Sequence, residues 1–266
     1  LVSAIAEGEP IKLPRGLFSM ANFTTSLTEQ ADFFIEGQGP AATIFNFGSE
    51  NGLHVEITAA ASQLQADKTS IEIRGIGFQT ELSNGSGVGL DIDYPDALAG
   101  TDAGTSVIRR LENLGFTGRT TTGDRWGSGL RITNGSYFDV NNIVGRGAED
   151  VVAGTLIDLQ GEKNSVDNTF TNIRGSRFNR LFNAEGRFEG LVLTNPIGVS
   201  CGTGVRVYAS LEVGETAQPW LQVHGGHFNV TSRGFDINDM TQVQLLQTLV
   251  YLGGINAVGA LIGRTS

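Results

Sequence analysis

Short segments of alternating apolar and polar residues recur along this chain. In Gly129-Leu130-Arg131-Ile132, an arginine stands between two aliphatic residues directly after a glycine. Strict alternation over so few residues is typical of a β-strand that buries one of its faces. The copies follow one another at intervals of 23 to 40 residues, which indicates a repeat architecture. The polar residue at the centre of each copy is His54, Asp91, Arg131, Asp158, Asn183, Arg206 and Asp236.

A second set of short strands lies between the copies of the first. Examples are Ser70–Gly75, Tyr137–Val140 and Trp220–Val223. One period therefore contains at least two strands joined by turns, which is the content of one coil of a parallel β-helix. A single coil cannot bury its apolar side, but stacked coils about 4.8 Å apart can, and equivalent residues then form ladders.

The composition fits one domain built of such coils. The chain has 266 residues, of which 39% are hydrophobic, 37 are glycine and six are proline. No Pro/Ser-rich linker or charge block divides it, so we expect an all-β fold in a single domain. Within that domain we expect a cap and first coil over 1–20, further coils over 21–240, and a C-terminal strand or cap over 241–266. The segment 241–252 is compatible with a helix or with a last strand.

Charge and residue usage exclude several function classes. A net charge of −10 argues against a nucleic-acid partner, and without an apolar run of about 18 residues we expect no membrane insertion. The single Cys201 rules out an internal disulfide, and its glycine-rich turn favours a structural over a reactive role. His224 and His227 lack cysteine partners, which argues against a zinc site. The aspartates near 91–96 are compatible with a calcium site. We predict no cofactor.

Two segments near the N-terminus carry a family resemblance. Residues 13–16 read LPRG, and residues 34–39 read FIEGQG. They resemble the opening coils of the pectate-lyase-like superfamily, in which a leucine-proline-x-glycine turn precedes isoleucine-x-glycine-x-glycine on the next strand. The resemblance implies a single-stranded right-handed parallel β-helix with an N-terminal cap, in which residues 1–6 would be the tail of the capping helix.

The absence of catalytic motifs argues against two enzyme groups of that superfamily, the pectate lyases and the polygalacturonases. The tryptophan-x-aspartate-histidine and arginine-x-proline motifs of pectate lyases are absent, as are the asparagine-threonine-aspartate, glycine-histidine-glycine and arginine-isoleucine-lysine motifs of polygalacturonases. What remains is similar to bacteriophage tailspike and polysaccharide depolymerase domains. That similarity implies a homotrimer in a virion tail or another extracellular setting, with a bacterial exopolysaccharide, capsule or O-antigen as its partner.

The repeat predicts one outward polar surface with two columns. The first column contains the polar residues given above, and the second lies two residues further along each strand. This surface has two interpretations: a solvated sheet whose alternating charges fix the coil register, or a groove that binds carbohydrate. The second column is Glu56, Asp93, Thr133, Gln160, Glu185, Tyr208 and Asn238.

Glycoside hydrolysis requires two carboxylates that flank the scissile bond. Asp158 and Glu185 fall on adjacent coils in different columns, which gives about 8 Å between their Cα positions and suits an inverting mechanism. Asp91 and Asp93, two residues apart on one strand, are the alternates. The predicted substrate-binding residues are Arg131, Arg206, Tyr208, Gln160 and Asn183, together with Trp126.

Two loops depart from the coil period, at 94–105 and 117–128. Loops that project from a solenoid often form the wall of a binding site. Trp126 lies in the second loop and has two interpretations: a platform on which a sugar stacks, or an anchor that holds the loop on the coils.

Three functions follow from these observations. The first is a tailspike-type protein that binds and hydrolyses a bacterial surface polysaccharide. The second is a non-catalytic receptor-binding or adhesin β-helix, in which the ladder only recognises the glycan. The third is a polysaccharide lyase, in which Arg206 would be the base and Tyr208 the stabilising group.

Overall fold

The computed structural model describes residues 9–27, 32–57, 69–94, 108–210 and 219–263. Every element in these ranges is a β-strand, and the strand pairings are parallel. Within these ranges there is no helix that is long and apolar enough to cross a membrane. The strands are β1 (Ile11–Lys12), β2 (Gly16–Ser19), β3 (Phe23–Leu27), β4 (Phe33–Glu36), β5 (Thr43–Asn46), β6 (Leu53–Ile57), β7 (Ile71–Thr80), β8 (Val88–Asp93), β9 (Arg109–Gly118), β10 (Ser128–Thr133), β11 (Asp139–Arg146), β12 (Thr155–Ser165), β13 (Asn168–Ser176), β14 (Arg180–Phe188), β15 (Leu191–Thr194), β16 (Ile197–Ala209), β17 (Trp220–His224), β18 (His227–Asn238), β19 (Gln242–Leu246), β20 (Leu249–Leu252) and β21 (Val258–Gly263).

The strands wind as successive coils, and each coil visits three faces in the same order. In the first coil, β1 lies on face A, β2 on face B and β3 on face C. The next coil repeats this order, because β4, β5 and β6 pair with those three strands in turn. Long strands serve two faces: β7 and β9 bend from face A to face B, and β16 and β18 bend from face B to face C. The predicted all-β parallel β-helix is therefore confirmed.

The alternation found in the sequence sets which side chains point inward. One continuous apolar core extends from Ile11 to Ile237. Phenylalanines from neighbouring coils stack inside it, as Phe78 and Phe116 do with ring centroids 5.1 Å apart. Because each coil covers the apolar side of the one before it, stacking of coils contributes the hydrophobic stabilisation that one coil lacks.

The bend between faces A and B places asparagine or glycine at six of its seven described positions. Its residues have φ near +55° to +70°, a left-handed conformation that asparagine and glycine adopt at low cost. Side-chain amides link neighbouring coils there, from Asn142 to Asn113 at 3.0 Å and from Asn195 to Asn172 at 2.9 Å. The bend residues are Gly75, Asn113, Asn142, Asn172, Asn195, Gly225 and Gln247.

The segment 241–252, left open between helix and strand, forms β19 and β20. The outward columns become apolar on this last described coil. His224 is followed by Leu246, His227 by Leu249, Asn229 by Tyr251 and Asp236 by Leu261. The polar surface of face C therefore ends with β18. Of the predicted N-terminal cap, residues 1–8 lie outside the described ranges.

Candidate functional site

The polar residues predicted for face C lie in two columns on its outer side, which we call the ladder surface. Arg131 pairs in register with Asp91 on one neighbouring coil and with Asp158 on the other. The remaining pairs follow the same register, so both predicted columns are confirmed. They contain His54, Asp91, Arg131, Asp158, Asn183, Arg206 and Asp236, and Glu56, Asp93, Thr133, Gln160, Glu185, Tyr208 and Asn238.

Asp158 lies at the centre of the ladder surface and accepts four side-chain hydrogen bonds. Its Oδ1 accepts from Gln160 Nε2 at 2.6 Å and from Asn183 Nδ2 at 2.9 Å. Its Oδ2 accepts from Ser128 Oγ at 3.1 Å and from Arg131 Nε at 3.4 Å. The residue is only 8% exposed. Four donors thus compensate the charge of a buried carboxylate that would otherwise be costly to desolvate.

Arg206 continues this network towards the next coils. Its Nη1 donates to Asn183 Oδ1 and to Glu185 Oε2, both at 2.8 Å. Its guanidinium carbon lies 3.8 Å from the centroid of the Tyr208 ring, in cation–π geometry. Burial lowers the pKa of Arg206, but the hydrogen bond and the charge of Glu185 more than offset this, and the pKa is raised. Arg206 is therefore a permanently charged group in a fixed position.

The network ends at Asp236, one coil beyond Tyr208. Tyr208 Oη donates to Asp236 Oδ2 at 3.1 Å, and Arg233 forms an ion pair with the same oxygen. Contacts between side chains therefore connect β10 to β18 without interruption. These contacts hold the part of the ladder surface from β10 to β18 in place across five coils, which is the preorganisation that a recognition surface needs.

At the other end of the ladder surface, His54 pairs with Asp91 at 3.1 Å between Nδ1 and Oδ2. This hydrogen bond raises the pKa of His54, against the opposing effect of burial. Arg131 makes its ion pair with Asp158 rather than with Asp91, although both carboxylates neighbour it in register. Asp91 and Asp93, the alternate catalytic pair, lie on β8 as predicted, and Asp91 is already engaged by the histidine.

Asp158 and Glu185 lie on adjacent coils and in neighbouring columns, because Glu185 is directly opposite Gln160. Their environments differ, since the side chain of Glu185 is 51% exposed. A general acid must present a proton to the leaving oxygen of the substrate. Both oxygens of Asp158 are engaged by protein donors, so its geometry favours a structural role over proton transfer.

Trp126 is buried at 2% exposure, which corrects the prediction that it stacks on a sugar. Its Nε1 donates to the carbonyl oxygen of Phe78 at 3.2 Å, and its ring packs 6.2 Å from that of Phe47. The indole therefore anchors loop 117–128 on the coils, the alternative interpretation of this residue. Most of the other predicted loop, from residue 95 onward, lies outside the described ranges.

A third polar column of face C was missed by the sequence reasoning. Its members lie three residues before those of the first column, at the start of β10, β12 and β14 and inside the bent strands β16 and β18. Two of them, Ser128 and Arg233, donate to the carboxylates of the ladder surface. Applying the same period three positions upstream would have found them. The column is Ser128, Thr155, Arg180, Thr203 and Arg233.

Other reactive side chains lie apart from this network. Cys201 is buried, and burial raises the pKa of its thiol. His224 lies on face A, with Nε2 3.3 Å from Gln222 Oε1. In the described part of the chain, no group of three or more His, Cys, Asp or Glu side chains is placed to hold a metal ion. Residues 95 and 96 of the predicted calcium cluster lie outside that part.

Comparison with known proteins finds no matching protein family, no similar curated protein and no similar solved structure.

Proposed function

We propose that this chain binds a bacterial surface polysaccharide along the ladder surface. The observation that carries the proposal is the connected network from Ser128 to Asp236, which fixes charged and aromatic groups in one orientation. Ordering these side chains before binding lowers the entropic cost of recognition. Their repetition from coil to coil suits a polymer whose hydroxyl groups recur along its length.

Within the network, Glu185 and Arg131 are among the charged groups that remain partly exposed to a ligand. The Glu185 carboxylate is half-exposed, although one of its oxygens accepts a hydrogen bond from Arg206. The Arg131 side chain is also partly exposed, while its Nε is directed towards Asp158. Carboxylates and guanidinium groups form strong, directional hydrogen bonds, so both can pair with sugar hydroxyls or with acidic sugars.

The geometry supports recognition better than cleavage. Hydrolysis by Asp158 and Glu185 stays a prediction, and the four hydrogen bonds to Asp158 weigh against it. The lyase alternative assigns the base to Arg206, whose raised pKa opposes loss of a proton. Tyr208 directs its hydroxyl to Asp236, which serves the network rather than a reacting sugar.

The resemblance to phage tailspikes implies that this recognition occurs in a virion tail or another extracellular setting, where the chain would act as a homotrimer. Both the location and the trimer stay predictions. Light scattering of the purified chain would measure its mass in solution, and a mass of three chains would support the tailspike assignment.

The test of the proposed function is a binding screen against purified bacterial polysaccharides, including dextran, alginate and colanic acid, followed by assays on any that bind. Retention of at least one polysaccharide is expected. New reducing ends without ultraviolet absorbance would establish hydrolysis, and ultraviolet absorbance of an unsaturated product would establish cleavage by a lyase. If neither product forms, the chain only binds the polysaccharide. Failure of every capsule, exopolysaccharide and O-antigen in the screen to bind would contradict the proposal.

A further inference from the structure

The bend between faces C and A carries a second arrangement of aromatic and acidic side chains. Strand register places Tyr137, Asp167, Gly190 and Trp220 at the same position on four successive coils, since each lies just before equivalent residues of face A. At Asp167 and Gly190, this bend column lies two residues beyond the ends of β12 and β14, two strands of the ladder surface. The ladder network does not use its side chains.

Gly190 leaves room for its two neighbours in the column to come together. A Cβ atom at residue 190 would lie 2.2 Å from Asp167 Oδ1 and 2.8 Å from Trp220 Cζ2. Real Cβ atoms do not approach other atoms this closely, so a larger residue would displace one of these side chains. The glycine thus allows the indole to lie against the bend, next to a carboxylate oxygen.

The column is accessible from solvent on its outer side. Tyr137 is 37% exposed, Asp167 is exposed, and Trp220 is partly exposed. Tyr137 holds φ at 59° and Asp167 at 47°, a conformation that costs a non-glycine residue free energy. The backbone of this bend therefore presents an aromatic and an acidic side chain outward at positions where glycine would be less strained.

Electrostatics distinguishes Asp167 from an ordinary surface carboxylate. Its pKa is raised, first by partial desolvation and then by the negative charge of Glu189 on the neighbouring coil. A carboxylate that is less well hydrated gives up less when a sugar hydroxyl replaces water as its donor. The rings of Tyr137, one coil before Asp167, and of Trp220, two coils after it, offer apolar faces to the C–H groups of a pyranose ring.

We propose that the bend column is a sugar-binding subsite, with Trp220 and Tyr137 as stacking surfaces and the Asp167 carboxylate as the acceptor for a sugar hydroxyl. The inference rests on the proposed function, because it assumes that the ligand is a polysaccharide. It extends the binding surface from the ladder around one edge of the β-helix. Gly190 is a positioning residue, because its missing side chain leaves the space that the Asp167 carboxylate and the Trp220 indole approach from either side.

The chain contains two tryptophans, which makes the subsite measurable by fluorescence. In a Trp126→Phe background, Trp220 is the only tryptophan emitter. Acrylamide quenching would be recorded with and without dextran, alginate and colanic acid, and affinities would be measured by calorimetry. The variants are Trp220→Ala, Asp167→Asn and Gly190→Ala in the bend column, and Arg206→Lys in the ladder network. The control is Asp150→Asn, an exposed aspartate at another bend, whose Oδ1 accepts from the Gly123 amide.

We expect a bound polysaccharide to shield Trp220 from acrylamide. Trp220→Ala should weaken binding about tenfold, as expected for the loss of one aromatic contact, and Asp167→Asn and Gly190→Ala should weaken it several-fold. Asp150→Asn should bind like the parent. Unchanged affinity in Trp220→Ala and Asp167→Asn, with loss in Arg206→Lys, would overturn the subsite and leave the ladder proposal intact. Loss in the bend variants alone would support the subsite and refute the ladder, and binding of no polysaccharide would overturn both.

Discussion

The Asp158 carboxylate accepts a 2.9 Å hydrogen bond from the side-chain amide of Asn183, the residue that occupies its position one coil later. Asn183 also contacts the following coil, because its Oδ1 accepts a 2.8 Å hydrogen bond from Arg206 Nη1. Neighbouring rungs of the first column are thus chemically complementary rather than merely alternating in charge. This complementarity makes the network sensitive to a change at any one rung.

Asp158→Asn should destabilise the fold, because the new amide presents a donor where the carboxylate accepts from four neighbours. One or two buried donors would lose their acceptor, at a cost of about 2–3 kcal/mol. The matched control is Asp139→Asn, whose side chain is more than half exposed and makes a single 3.9 Å ion pair with Arg110. It should change stability by less than about 0.5 kcal/mol. Urea unfolding of both variants measures the difference, and equal midpoints would show that the network is energetically unimportant.

The His54–Asp91 pair should make stability depend on pH. The pKa of His54 is raised above 6.5 in the folded state, so its contribution is fully present below that pH and is lost as pH rises through the higher folded value. His54→Gln should flatten this part of the stability profile. An NMR titration should find that Asp91→Asn brings the pKa of His54 down. A pKa of His54 that does not move in Asp91→Asn would refute the pairing.

Trp126 should act on stability and leave recognition unaffected. Trp126→Ala removes a buried ring and a hydrogen bond to the Phe78 carbonyl, which should cost about 3–5 kcal/mol. Trp126→Phe should be milder and should bind polysaccharide like the parent. In fluorescence, Trp126 should emit at shorter wavelength than Trp220 and resist acrylamide. Weakened binding by a folded Trp126→Phe protein would revive the stacking interpretation.

Cys201 should be unreactive in the native protein. It is buried, and burial raises the pKa of the thiol, so little thiolate is present at neutral pH. A chromogenic disulfide reagent should modify it slowly in buffer and rapidly in denaturant. Fast modification without denaturant would show that this part of the core opens readily.

Much of the fold could be predicted from the sequence, because parallel stacking makes one local pattern repeat in space. The alternation around Arg131 recurs from coil to coil, and this recurrence alone predicts both columns of the ladder surface. The period also indicates that Asp158 and Glu185 lie on adjacent coils. Pairings between distant residues follow from the period as well, since equivalent positions of a β-helix stack directly.

What escaped prediction depends on local details that the alternation does not encode. Ser128 lies in a third column, which precedes the apolar–polar–apolar pattern and so does not stand out in the sequence. The Trp126 loop looked exposed because it departs from the period, yet its indole reaches a carbonyl oxygen of face B. The bend column was missed because Asp167 and Gly190 belong to turns between the strands, and only the register of face A places them in line with Trp220 at the start of β17.

Two arginines provide the most direct test of the ladder as a binding surface. Arg206 on face C bonds Glu185 and stacks on Tyr208, while Arg74 on face A pairs with Glu36 and Glu72 and lies 5.3 Å from the Phe34 ring centroid. The two are therefore matched in kind but lie on different faces. Lysine keeps the charge at either position but lacks the planar guanidinium that stacks on the neighbouring aromatic ring.

The decisive measurement is the calorimetric affinity of Arg206→Lys and Arg74→Lys for a polysaccharide that the parent chain binds. The ladder proposal predicts that Arg206→Lys loses at least about tenfold in affinity, equivalent to about 1.4 kcal/mol, while Arg74→Lys binds like the parent. Parent-like affinity in Arg206→Lys, or an equal loss in both variants, would contradict recognition by the ladder surface.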